Sequence, residues 1–222
     1  MVTVLALGAF ATATSVTAGE AELSPAEVMQ IYPDLVEAAP QIDERYSALV
    51  ARVAHHLALD AGLIDAVIYR ESNYKADAIS VDGAIGLMQL MPNGGAIDAY
   101  EHLYGRPGRP TKASLEQADI NVWLGSAYLR LLKDRYYADY FPGARMPLML
   151  AAYNWGIGHM LRSAPDRNEI KTRSQALAWI DKKCPAETRV YVRRVLSKYD
   201  SGNTTYQLHG TQLAVNIRPR LD

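Results

Sequence analysis

Residues 69–92 read YRESNYKADAISVDGAIGLMQLMP, and the rest of the chain is organised around them. Glu71 closes the apolar run LIDAVIYRES, whose pattern predicts a helix. Leu63, Val67 and Glu71 are spaced by four and share one helical face. A carboxylate on a core-facing side loses solvation, so its neutral form is favoured and its pKa rises. A carboxyl that stays protonated near neutral pH is what a general acid requires. A Glu at the end of an amphipathic helix is more often a solvated boundary residue, so Glu71 gains weight only from its neighbours. Gly83 and Gly86 in the following loop permit positive φ or close approach of backbone to a ligand.

Working outward, residues 46–59 (YSALVARVAHHLAL) have helical spacing at Tyr46, Leu49, Val50, Val53 and Leu57. Asp60 is a candidate N-cap for the helix that ends at Glu71. Residues 93–114 read as a polar, Gly-containing insertion with Pro107 and Pro110. Residues 115–137 predict a helix with Ile120, Trp123, Leu124, Ala127 and Leu131 on one side, Trp123 and Tyr128 being core residues rather than a sugar platform. Residues 146–153 form a short apolar helix ended by Asn154-Trp155-Gly156, and a further short helix runs through Arg162. Residues 187–199 are the last amphipathic helix. Short β-like pieces are expected near residues 79–85.

Composition restricts the function classes. The 222 residues are 49% hydrophobic and 21% charged, sufficient for one well-packed domain with an extension. A net charge of −1 offers no basic excess for nucleic acid and no polybasic run for an anionic membrane surface. A single cysteine, Cys184, excludes an intrachain disulfide and a multi-thiolate metal site. The adjacent His55 and His56 point about 100° apart on a helix and make a poor ligand pair, so no metal is expected. Residues 1–18 (MVTVLALGAFATATSVTA) are expected to be a secretory signal, with Val16-Thr17-Ala18 as a small-x-small cleavage site, although no Lys or Arg stands near Met1. That stretch is too short to span a membrane, and no cysteine follows it to carry a lipid anchor. The expected division is a signal over 1–18, a helical extension over 19–45, a main domain over 46–199 and a tail over 200–222.

Five ordered blocks resemble bacterial lytic transglycosylases of the goose-lysozyme-like superfamily. They are Glu71-Ser72, the loop Ser80-x-x-Gly83-x-x-Gly86-Leu87-Met88-Gln89, residues 121–129 (NVWLGSAYL), Ala152-Tyr153-Asn154 and residues 187–192 (ETRVYV). The insertion at 93–114 is similar to that of the membrane-bound C-type and endo-acting E-type members. The resemblance implies a mostly α, lysozyme-like domain with a substrate cleft between two lobes. It implies cleavage of peptidoglycan glycan strands, without a cofactor, by a monomer outside the cytoplasm in the periplasm or as a secreted protein. Glu71 is then the single acid and base. Ser80 and Gln89 contact the sugar, and Tyr153 is the phenol near Glu71. Met88 walls the acid off from water, and Asn154 holds the cleft wall with possible sugar contact. Tyr191 either lines the cleft or packs the last helix. Two other readings remain open from sequence. One is a muramidase on the same fold that uses water. The other is a non-catalytic glycan-binding factor in wall assembly.

Overall fold

A computed structural model describes residues 44–206. The signal and extension expected over 1–45 lie outside it apart from residues 44 and 45, as does the tail beyond residue 206. Nine α-helices form the described chain: α1 (Ser47–His56), α2 (Ala61–Ser72), α3 (Gly95–Tyr104), α4 (Lys112–Leu115), α5 (Ala118–Leu131), α6 (Pro142–Trp155), α7 (Ile157–Arg162), α8 (Arg173–Lys183) and α9 (Ala186–Tyr206). A π-helical turn, Leu132–Tyr136, continues α5. Among the described residues β structure is confined to two isolated antiparallel bridges, Ile79 with Ile85 and Ile85 with Leu90.

The centre of the domain is α5. Every residue from Ile120 to Leu129 is buried, so the helix is enclosed on all sides rather than on the one face the sequence pattern suggested. Trp123 packs at a tilt against His56 of α1, 4.7 Å between ring centroids, a core contact. α1, α3 and α4 pack around α5, while α6 carries α7, α8 and α9. The two groups are joined where α9 lies across α2 and where α5 meets α6. Glu71 sits at this junction.

Local chemistry sets the element ends. Asp60 caps α2 by accepting the Gly62 N–H at 2.8 Å. Asn73 ends α2 in the left-handed region at φ 50°, and Tyr74 follows at φ 62°. Two successive non-glycine residues in that region are costly, and such strain concentrates beside functional sites. The Tyr74 hydroxyl donates to buried Asp65 at 2.6 Å, which helps to hold the turn.

Three helices differ from the sequence reading. Residues 95–104, read as part of a polar insertion, form α3, with Ala96 and Ala99 buried against α5. α8 was not anticipated. Its start is fixed by a capping box between Thr172 and Gln175. α9 also continues past Tyr199. Arg173 makes a two-pronged ion pair with Asp200 at 2.9 and 2.6 Å, and the Tyr199 hydroxyl donates to Asp60 at 2.8 Å. These contacts hold the helix beyond its apolar period.

Candidate active site

Glu71 is the penultimate residue of α2 and lies above buried Leu63 and Val67 on the same face. Its side chain is half-buried and opens on a cavity of about 890 Å³ between α2, the 78–89 loop and α9. Burial pushes its carboxyl up from 4.5 to about 7. The Tyr191 hydroxyl and Arg70 pull the other way, and Glu187 adds a smaller upward push. The Tyr191 hydroxyl is itself buried and completes no hydrogen bond of good geometry among the described residues. It stands near enough to Glu71 to favour the carboxylate, and its own phenol is driven well above the ordinary range by burial and then by the Glu71 charge.

The loop is held by its own side chains. Ser80 Oγ accepts the Ala84 N–H at 2.9 Å, and the Ser80 N–H donates to the Ala84 carbonyl at 2.9 Å. Gln89, at φ 46°, donates from Nε2 to the carbonyls of Ala78 at 3.0 Å and Gly86 at 2.9 Å. Both residues line the cavity beside Glu71 while their polar atoms also staple the loop.

Beneath the loop, fully buried Asn121 of α5 accepts the Met88 N–H through Oδ1 at 2.8 Å. Its Nδ2 donates to the carbonyls of Ile85 and Leu115, each at 2.8 Å. Gly86, at φ 80°, passes so close that a Cβ there would stand 2.3 Å from Asn121 Nδ2. Sequence reading placed Asn121 in a matching block but gave it no role. The available signal was a lone amide on a helix otherwise made of core residues, since a buried amide must find partners.

Of the predicted site residues, Glu71, Ser80 and Gln89 come together on the cavity, and Tyr153 and Tyr191 close on Glu71 from the α6 and α9 sides. The Tyr153 hydroxyl donates to the Met88 carbonyl at 2.8 Å, so its proton is committed to the loop rather than to Glu71. Burial, then the Glu71 charge, pushes its phenol well above the usual range. Met88 is not the apolar wall of the cavity. Its side chain is fully buried against α5, where Gly125 leaves room for it and Ser126 Oγ lies 3.7 Å from its sulfur. Asn154 likewise does not line the cavity. It accepts the Thr188 hydroxyl at 2.7 Å and ties α6 to α9. Among the described residues no group of His, Cys, Asp and Glu is arranged to hold a metal ion, and no helix is long and apolar enough to cross a membrane.

Solved structures share this architecture. An inactive mutant of the lytic transglycosylase Slt from Pseudomonas aeruginosa superposes with a TM-score of 0.59 at 28% identity, covering 75% of this chain and 25% of that one. The 70-kDa soluble lytic transglycosylase complexed with bulgecin A gives 0.60 at 22% identity, over 84% of this chain and 28% of that one, a likeness of fold alone. A lysozyme-like helical domain with a half-buried acid at its cleft is thus the class. The Transglycosylase SLT domain family matches residues 49–175, and the chain belongs to that family. Membrane-bound lytic murein transglycosylase C from Histophilus somni is 37% identical over 120 residues, 54% of this chain and 33% of that protein. The protein of the same name from Pectobacterium atrosepticum is 28% identical over 166 residues, 74% of this chain and 44% of that one. The chain therefore spans between a third and a half of the length of these relatives.

Proposed function

We propose that the chain is a peptidoglycan lytic transglycosylase. It cuts the bond between N-acetylmuramic acid and N-acetylglucosamine and leaves a 1,6-anhydro-muramic end. The observation that carries this reading is the Glu71 carboxyl, raised to about 7 and set as the one carboxylate among the described residues lining its cavity. Two-carboxylate glycosidases place a second acidic residue across the bond, whereas substrate-assisted enzymes do not need one.

In this mechanism protonated Glu71 gives its proton to the glycosidic oxygen as the bond from C1 to that oxygen breaks. The acetamido oxygen of the muramic residue bonds to C1 and spreads the developing charge. Glu71, now a carboxylate, takes the proton of the C6 hydroxyl. O6 attacks C1, the acetamido oxygen leaves, and the ring closes with Glu71 protonated again. No water is consumed and no cofactor takes part. An intramolecular hydroxyl held in attack geometry has an effective molarity of ~10⁵ M or more, which favours it over water. Ser80 and Gln89 contact the sugar from the loop, and burial raises the proton affinity of Glu71 against the opposing pull of Tyr191 and Arg70. The protein acts as a monomer on glycan strands outside the cytoplasm, in the periplasm or secreted.

Digestion of purified sacculi by the full chain, read by mass spectrometry, tests the reaction. Anhydro-muramic ends, one water lighter than hydrolysis products and without a reducing terminus, are expected. Reducing muramic ends would make the protein a muramidase, and intact sacculi would leave a non-catalytic glycan binder.

A further inference from the structure

We propose that the Glu71 cavity selects strands by their carboxylate groups, through a cationic wall made by Arg70, Arg194 and Lys198. This rests on the reading above and names the feature of the strand that the site recognises. Arg194, Ser197, Lys198 and Ser201 follow i, i+3, i+4, i+7 spacing on α9, and all four line the cavity. This face is largely exposed, and it borders the cavity on which Glu71 opens. Its orientation is fixed because the other sides of α9 bury Val192, Val195 and Leu196.

The three cations are not equally engaged. Lys198 is shared, with Nζ 3.7 Å from Asp65 and 5.2 Å above the Tyr69 ring. Arg70 lies 5.7 Å over the Tyr191 ring, and its Nε is buried with no partner. Among the described residues neither Arg70 nor Arg194 forms an ion pair. Among the described residues Glu71 is the one acid on the lining, and burial keeps a large fraction of it neutral near pH 7. The cavity is therefore locally positive in a chain of net charge −1. Guanidinium groups are suited to carboxylates because their paired N–H donors match the two oxygens. The strand offers that group on the muramic residue, as the lactyl carboxylate where no peptide is attached and as stem carboxylates where one is.

The full chain carrying Glu71→Gln serves as a non-cleaving binder. Its affinity is measured by calorimetry for stem-free and for stem-bearing strands, each with free carboxylates and with carboxylates converted to methyl amides. Free carboxylates should bind more tightly on the order of threefold to tenfold in at least one pair. That gap should shrink as salt rises. Adding Arg194→Gln should narrow the gap and leave binding to the amidated strands unchanged. The pair that shows the gap identifies the source, lactyl or stem. Equal affinity within both pairs overturns the proposal. So does absence of binding, or an Arg194→Gln loss of the same size on free and amidated strands. The catalytic reading fails by a different sign, continued cleavage by Glu71→Gln, and the carboxylate preference is then read from the relative rates at which dilute free and amidated strands are cut.

Discussion

Asn121 and Met88 are joined across 33 positions of sequence by a 2.8 Å bond from the Met88 N–H to the Asn121 side-chain oxygen. With the two bonds from Nδ2, one fully buried amide satisfies three backbone groups of the site loop and its approach. Asn121→Ala should orphan the Met88 N–H and the Leu115 carbonyl, while the Ile85 carbonyl keeps the Leu90 N–H at 3.0 Å. Each buried, unsatisfied group costs about 1–3 kcal/mol, so a loss of roughly 2 kcal/mol or more in denaturant unfolding is expected, with glycan cleavage falling alongside. A variant as stable as wild type would show that the loop does not depend on this clamp.

The two loop glycines should respond differently to alanine. At Gly83, with φ 86°, an added Cβ would have nothing within 4 Å, so Gly83→Ala adds only left-handed strain of about 1–2 kcal/mol. At Gly86 the added carbon also meets Asn121 Nδ2 at 2.3 Å and the Leu115 carbonyl at 2.8 Å. Gly86→Ala should therefore lower the melting temperature clearly more than Gly83→Ala and remove activity with it. Equal shifts would mean that the Asn121 contact yields at little cost.

The local parts of this arrangement were legible in the sequence. Spacing placed α2, the Asp60 cap and the core-facing Glu71, and the loop residues were readable from their order. α3 was hidden because Gly94-Gly95 and Pro107 bracket it as a loop would, although Ala96, Ala99, Tyr100 and Leu103 already carried helical spacing. α8 was hidden because few of its side chains are fully buried, Ala176 and Ile180 among them, which leaves almost no apolar period. The direction of Met88 was not legible at all. It depends on Gly125 of a helix that passes beneath the loop, and no pattern near Met88 reports which helix that is.

Glu71 should give the protein a signed pH dependence. In the proposed mechanism the acid works from its protonated form, so cleavage should fall as pH rises through about 7. Stability follows the same group. Its folded pKa lies above its ordinary 4.5, so the folded state holds the proton more tightly. That contribution is complete below about 4.5 and is lost as pH rises through about 7. Glu71→Gln, which cannot ionise, should gain on wild type across that window by up to about 3 kcal/mol while losing cleavage. Denaturant unfolding of both proteins at the two ends of the window measures this. A stability difference that stays flat with pH would place the carboxyl in a more solvated site.

Tyr191→Phe separates the tyrosine's electrostatic role from its packing role. The ring is almost fully buried against α2, and phenylalanine keeps that volume. The hydroxyl it removes has no hydrogen bond of good geometry, so its loss leaves no described partner unsatisfied and stability should change by less than about 1 kcal/mol. The same hydroxyl favours the Glu71 carboxylate, so without it the neutral acid is favoured further. The falling limb of the cleavage–pH profile should then move to higher pH, and activity at alkaline pH should decline less steeply than in wild type. Tyr153→Phe is the contrasting control, because its hydroxyl holds the Met88 carbonyl at 2.8 Å and its removal should loosen the loop and cost stability. A limb that stays in place in Tyr191→Phe, or moves to lower pH, would assign Tyr191 to packing alone.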